Sequence, residues 1–496
     1  MSTGVFEVQG PRSATMSDMS APDLSDEVMA QFKESGAEKH TTILLGAGAS
    51  TTSGLPGWDE LVTRLLVKSG AVPDASSARL LLGRQDPLIV AEAARAQLEP
   101  RWLESVRNEL YRLATPPEAS PLHRAAVSHA LTGDADDTSL VTLNFDVLLE
   151  EALVAEQDWG ESPSVPVVSA SGDVDEANAI VVHHLHGIVS RDEVADVVFT
   201  LTDFLEVLSD TGSWQRAYMG RALSKGALVI AGTSYRDPDV RQWLHAAKQE
   251  APREHAALVI LAREGFGVTR SEFDSLQNAL ESQWTAVGLR PILVDDHSDA
   301  AQVIRELRHV NNHGYLAPQE RAAKVWERHF EQFDVLQERY AELLAEESET
   351  LRSYFSVAAL NVSLWLSDGD GGLVRWASGD RVYRNSASLR RVETGFDTPW
   401  IAGRALSADT LLIQDIEGEP TRRWKSVAAV PVVVNIEGHP PMSTAVLTMG
   451  LPDEVAEYDD SSYLWVDQLG VVADSWSERL SNAVLSDREL DSPQGE

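Results

Sequence analysis

The chain has 496 residues and no cysteine, which excludes disulfides, thiolate catalysis and any cysteine-built zinc site. With 41 basic against 77 acidic side chains its formal charge is −36, a surface that repels phosphate backbones and argues against non-specific nucleic-acid binding. The length calls for more than one domain, no apolar run reaches the roughly 18–20 residues that cross a bilayer, and the N-terminus lacks a basic-flanked apolar leader, so a cytoplasmic location is expected.

Residues 1–38 are rich in Ser, Met, Thr and Ala: Met1–Pro22 is expected to be disordered and Asp23–Ser35 to form a short helix. Thr41–Leu45 is a β-branched and aliphatic run stopped by glycine, which predicts a short buried strand. Gly46-Ala47-Gly48-Ala49-Ser50 then puts small residues where strand turns into helix. Such a turn lets backbone N–H groups approach a pyrophosphate at a helix N-terminus, and it equally lets a helix pack closely on a sheet. Ser53-Gly54, Leu55-Pro56 and Trp58 follow, and Trp58–Ser69 reads as a helix ended by Gly70. Residues 74–132 are mostly helical, interrupted at Pro116-Pro117; Glu92, Arg95 and His123 are read there as structural or solvated.

Leu140–Leu143 predicts a second strand with Asn144-Phe145-Asp146 at its carboxyl end, where an open parallel sheet binds ligands and where Asn and Asp also serve as caps. Residues 157–179 read as a loop containing one short strand, Val165–Val168. In Ile180–Val189 an apolar run leads into His183, His184 and His186, followed by Gly187. A His-x-His pair on one strand supplies only two ligands, and His309 with His313 reads as a surface pair, so no metal is expected. A helix is predicted from an N-cap at Thr202 to about Ser224. Ala227–Ala231 is another strand, ended by Gly232-Thr233-Ser234-Tyr235-Arg236-Asp237-Pro238; Ala256–Leu261 and Pro291–Val294 are two more. Strand and helix alternating from 41 to 309 predict an α/β, doubly wound, Rossmann-like parallel sheet with a helical insertion.

Four stretches, GAGASTTSGLP, TLNFD, HG at 186–187 and GTSYRDP, resemble in the same order the motifs of the sirtuin family, and specifically its prokaryotic NAD-cleaving members. The resemblance implies that NAD is the substrate, with Gly46, Ala47, Gly48, Ser50, Ser53, Gly54, Pro56, Gly232, Thr233, Ser234 and Asp237 holding it. It implies that Asn144 orients the acceptor, that His186 is the general base and that Asp146 holds the ribose or keeps its loop in register. The acceptor is either an acyl-lysine, as in the deacylases, or water. Water is favoured because the chain cannot build the deacylases' four-cysteine zinc module and carries GLPGW where they carry a loop of the GIPDFR type. The expected activity is therefore NAD+ glycohydrolysis, with deacylation or NAD/ADP-ribose sensing without turnover as alternatives. Proteins of this architecture act in anti-phage defence, which implies an activating ligand or phage protein.

After a linker at 313–318, residues 319–353 predict one amphipathic helix with Trp326, Phe330, Phe333, Leu336, Tyr340 and Leu344 on its stripe. That stripe fits either a domain face or a second copy, and a homo-oligomer is expected. Beyond it, a hairpin turn at Asp368-Gly369-Asp370-Gly371, a Gly-x-Ala turn near Gly403, strands at Leu412–Ile416, Trp424–Val434 and Ser443–Met449, and a helix at Asp459–Leu480 resemble the GAF sensory fold. The expected domains are 1–38 (mostly disordered), 39–312 (sirtuin-like), 313–353 (linker helix), 354–485 (GAF-like, α+β) and 486–496 (tail).

Overall fold

The computed structural model describes residues 22, 24, 28, 30, 32–33, 39–113, 116–132, 137–159, 164–174, 176, 178–233, 240–245, 257–418, 423–458 and 462–485. Ser234 and Asp237, and most of the expected leading helix and tail, lie outside these residues. Two compact units emerge, one of Ser25–Gly267 with Gln277–Tyr315 and one built mainly from Leu316–Glu496. Among the described residues no helix is long and apolar enough to cross a membrane.

In the first unit β1 (Thr41–Leu45) leads into a single-turn helix α1 (Ala47–Thr51). An inserted set of helices follows: α2 (Trp58–Ser69), α3 (Ala75–Leu82), α4 (Pro87–Leu98) and α5 (Trp102–Leu110), before α6 (Pro121–Thr132) returns to the sheet. Next come β2 (Thr138–Thr142), α7 (Leu148–Trp159), β3 (Val167–Ala170) and β4 (Ile180–His184), then the hairpin β5–β6 (Ile188–Val189, Val194–Ala195). Two helices, α8 (Leu201–Ser209) and α9 (Trp214–Lys225), precede β7 (Ala227–Ala231) and β8 (Ala257–Ala262). The single turn α10 (Arg263–Phe266), the part of α11 (Arg270–Ala286) from Gln277 onward, β9 (Leu289–Val294) and α12 (His297–Glu306) complete the set.

Seven of these strands form one parallel sheet, in the order β3-β4-β2-β1-β7-β8-β9. Every residue of β1, β7 and β8 is buried, which is why these strands read as unbroken apolar runs rather than alternating ones. Ile43 sits between Leu140 of β2 and Val229 of β7, so β1 is where the winding reverses direction. In such a sheet the crevice at the carboxyl ends of the strands flanking that reversal is the ligand-binding position.

Several local expectations are corrected. Thr200, not Thr202, caps α8: Asp203 returns a carboxylate to the Thr200 amide at 2.9 Å, while the Thr202 amide donates to Glu92 at 2.7 Å. The expected single helix to Ser224 is broken at Asp210–Ser213, where Gly212 turns the chain. The short strand near 165–168 begins two residues later, at Val167.

The second unit opens with α13 (Pro318–Glu331) and α14 (Phe333–Tyr354), so the expected single helix is interrupted at Gln332. A six-stranded antiparallel sheet follows: β10 (Asn361–Ser367), β11 (Gly372–Ser378), β12 (Arg390–Glu393), β13 (Leu412–Asp415), β14 (Ser426–Val434) and β15 (Met442–Leu451), ordered β12-β11-β10-β15-β14-β13. The segment around Gly403 is a helix, α15 (Ile401–Ala408), rather than a turn. The last element is α16 (Ser462–Leu485). Alternation along β10 divides the unit into two cores. Leu364 and Leu366 join Leu336, Tyr340, Leu344, Trp376 and Trp476 under α13, α14 and α16. Trp365 faces the other way, into Ile401, Ala405 and Leu406 of α15.

Candidate active site

The site is built where β1, β2, β4 and β7 end. Gly46 and Gly48 are required by close packing: a Cβ on Gly46 would lie 2.8 Å from the Gly232 carbonyl oxygen, and one on Gly48 would lie 2.9 Å from the Gly232 Cα and 2.8 Å from the His297 ring. The amide of Gly46 donates to Ala231 (3.0 Å), that of Gly48 to Gly232 (2.6 Å) and that of Ala49 to Gly46 (3.0 Å). Both readings of the small-residue turn therefore meet here. The glycines let α1 seat against the end of β7, and what they offer a ligand is close approach rather than these three engaged N–H groups. Ala47 lies exposed on the first turn of α1, and Thr233 follows Gly232 directly against Gly46.

Asn144, Asp146 and Ser50 form one buried network. The Asn144 Nδ2 donates to the Gly46 carbonyl (3.0 Å) and to Ser50 Oγ (2.8 Å). Ser50 Oγ in turn donates to Asp146 Oδ2 (2.7 Å), while Asp146 Oδ1 accepts from the Leu148 amide (3.2 Å) at the head of α7. Because a carbonyl oxygen only accepts, the bond to Gly46 fixes which way the Asn144 amide faces. Both Nδ2 hydrogens are thereby used, and Oδ1 is the atom left for a hydroxyl or a water. Burial pushes the Asp146 carboxyl above its ordinary range, against the opposing pull of the Ser50 and Leu148 bonds.

His186 reaches the same edge. The β2–β4 register pairs Thr142 with His184, the Leu185 amide donates to the Thr142 carbonyl (3.0 Å), and the Val189 amide donates to the Phe145 carbonyl (2.7 Å). The 185–189 segment thus runs beside 142–145, which sets His186 level with Asn144. Its ring is buried, edge-on to Phe204 (5.3 Å between centroids) and near Trp243 (6.2 Å). Gly187 must be glycine: its φ is +88°, and a Cβ there would lie 2.2 Å from the Asp196 carbonyl oxygen across the β5–β6 hairpin.

Ser53, Gly54 and Pro56 lie on the loop beyond α1, outside the Ser50–Asn144–Asp146 network; the Ser53 and Leu55 amides tie that loop back to the Ser50 carbonyl (3.1 Å each). Ser53 Oγ is buried without a hydrogen-bond partner, as is His297 Nδ1 on the far side of Gly48. Two orphaned polar atoms flanking the small-residue turn fit a polar ligand lying across it.

Of the groups around these residues, sequence reasoning did not single out Phe199, Trp102, Arg263 or Asp295. Phe145 stacks on Phe199 (5.5 Å) and Phe199 on Trp58 (4.2 Å), an aromatic wall that the inserted helices complete with Trp102. Arg263 is fully buried and grips Asp295 through Nε (2.6 Å) and Nη2 (3.2 Å), while Glu264 accepts from the His297 amide (3.0 Å), which joins the ends of β8 and β9. His183 packs on Tyr218 (4.5 Å), and burial lowers its pKa. Among the described residues, no group of three His, Asp or Glu side chains is placed to hold a metal.

Comparison with known proteins matches residues 138–292 to the family model described as SIR2-like domain. No curated protein sequence matches the chain. Similar solved structures include a Sir2 enzyme from work on the structural basis of Sir2 mechanism and regulation (14% identity, 58% of this chain and 100% of that one, TM-score 0.31). Sir2Tm bound to a propionylated peptide gives 13% identity over 57% of this chain and 95% of that one, with a TM-score of 0.28. A protein described as a GAF sensor from Burkholderia vietnamiensis gives 18% identity over 34% of this chain and 96% of that one, with a TM-score of 0.20. The assignment rests on the family model and on the motifs it encloses: the chain carries a SIR2-like domain over residues 138–292.

Proposed function

We propose that this protein is an NAD+ glycohydrolase. The observation that carries the reading is the Ser50–Asn144–Asp146 network, with one amide oxygen left over, standing level with His186 at the reversal point of a SIR2-like sheet. In the reaction the bond between nicotinamide nitrogen and ribose C1′ breaks, and its electron pair stays on the nicotinamide. A water oxygen bonds to C1′, and the water proton passes to His186 and on to solvent. The pyridinium is already a good leaving group, so the protein's task is to orient water and to support positive charge growing on the sugar. Asn144 Oδ1 accepts from that water, and a carboxylate at Asp146 favours the developing cation. The aromatic wall of Trp58, Phe145 and Phe199 limits bulk water near the bond.

On this reading Gly46–Ser50 and Gly232–Thr233 border the pyrophosphate, with Ser234 and Asp237 on the adenosine side. The resemblance that suggests the activity also suggests its setting: an effector that depletes NAD in anti-phage defence, governed through a GAF-like C-terminal unit; a cytoplasmic location and a homo-oligomer complete the proposal on the separate grounds of composition and of the amphipathic stripe. Incubation of the full chain with NAD+ and no acyl peptide tests the activity. Nicotinamide and ADP-ribose are the expected products, turnover only with an acyl-lysine peptide would make it a deacylase, and binding without products would make it a sensor. Asn144→Ala and His186→Ala should each remove nicotinamide release while leaving the far-UV circular dichroism unchanged; full activity in either variant would dismiss the site. Mass in solution with and without NAD+ tests self-association.

A further inference from the structure

His184, two residues before the proposed base, is fully buried between two hydrogen-bond acceptors. Its Nδ1 lies 2.9 Å from the Asn144 carbonyl oxygen and its Nε2 lies 2.7 Å from Glu150 Oε1. A neutral imidazole has one N–H and can satisfy one of them; the other ring nitrogen would then point a lone pair at an oxygen lone pair. We infer that His184 is a buried imidazolium that acts as a positioning residue, pinning the carbonyl of Asn144 from behind and setting a positive charge beneath Asp146. This deepens the NAD+-cleaving reading and rests on it for its functional consequence.

The surroundings support the charge. Glu150 projects from α7, and its Oε1 also accepts from Ser169 Oγ of β3 (2.5 Å) while its Oε2 is buried with no partner. Asp146 faces the ring from the loop before α7, and His123 faces Glu150 from α6, where burial lowers it to about 4 and keeps it neutral. The neighbouring His183 on β4 is likewise lowered by burial. His184 alone among these imidazoles is raised: desolvation opposes its charge, and the bond and charge of Glu150, the Asn144 carbonyl and Asp146 outweigh it. Its stabilising contribution is complete below the ordinary histidine value of about 6.5 and is lost as pH rises through the raised one.

Two consequences follow. Losing the second proton frees one of the two contacts, which lets the Asn144 loop shift and removes the charge that helps hold Asp146 ionised. Turnover should therefore fall on the alkaline side for a reason separate from the base. Full-length protein with labelled histidines, its Glu150→Gln and its His184→Gln variants provide the test. The imidazole signal that disappears in His184→Gln should be doubly protonated above neutral pH, and Glu150→Gln should shift its titration to lower pH by about 1–3 units. The alkaline limb of kcat should move by the same amount. His184→Gln should lower kcat roughly 10- to 100-fold, as misplacement of a reacting group does, with KM for NAD+ little changed. A singly protonated ring at neutral pH, with the proton on Glu150 instead, or an alkaline limb that ignores Glu150→Gln, would overturn the inference. If the parent protein releases no nicotinamide, the cleavage reading fails, and the imidazole titration by itself still decides the charge of His184.

Discussion

In the proposed NAD+ cleavage, Asp146 is where activity and stability pull in opposite directions at the level of one side chain. Its carboxyl is buried and its pKa is raised, chiefly by desolvation. A carboxyl raised in the fold contributes stability below its unfolded value of about 3.9 and loses it as pH rises through the folded value. Ionising the group in the folded protein therefore costs stability, which the Ser50 and Leu148 bonds offset in part. Asp146→Asn should unfold at pH 7 at a temperature no lower than the parent and should release no nicotinamide. A clear drop in that temperature would show that the Ser50 bond outweighs the burial. As candidates, Asn144 and Asp146 were legible because they follow the carboxyl end of a strand, and Ser50 because it closes a small-residue turn after another. Their roles in the network were not, since Ser50 and Asp146 are 96 positions apart and nothing local pairs them.

At the level of elements, α1 is a single turn whose position depends on two backbones passing almost in contact. Gly48→Ala would press a methyl against the Gly232 Cα and the His297 ring. A backbone neighbour cannot rotate aside, so the substitution should cost about 1–3 kcal/mol in chemical denaturation and weaken NAD+ binding measured by calorimetry. An unaltered variant would mean that the β1–α1 turn gives way easily. The misplaced cap of α8 shows why local reading stops short here. Thr200-Leu201-Thr202-Asp203 holds two candidate caps, and the choice was made by Glu92, brought from α4 to take the Thr202 amide, and by Arg95, which binds both Thr200 and Asp203. The break between α8 and α9 was missed as well: the expected helix ran on to Ser224 across Asp210-Thr211-Gly212-Ser213, where the Gly212 amide closes a turn on Asp210 Oδ1.

At the scale of the whole molecule, the stripe read on residues 319–353 is largely used within the second unit. Trp326, Phe333, Leu336, Tyr340 and Leu344 pack into its own core, while Phe330 is exposed, so the stripe by itself is no argument for a second copy. Trp376 is the hub of that packing, edge-on to Trp326 (5.4 Å), Phe333 (5.4 Å) and His329 (6.0 Å). Trp376→Ala should destabilise this unit by about 3–5 kcal/mol, read as an earlier denaturant midpoint for its unfolding transition; a midpoint within error of the parent would show that the core repacks around the lost ring.

Taken alone, the sequence determined the seven strands of the first sheet and their parallel character, and the antiparallel character of the second sheet. Those properties follow from short-range periodicity: unbroken apolar runs where both faces are covered, alternation where the two faces meet different cores. It also determined which residues stand at the strand ends. Only the tertiary structure decided that Asn144 spends both amide hydrogens on Gly46 and Ser50, and that a histidine between two acceptors underlies that loop. Hydrogen bonds of that kind join residues 34 to 98 positions apart, and which partner a buried polar group finds is set by how distant elements come together.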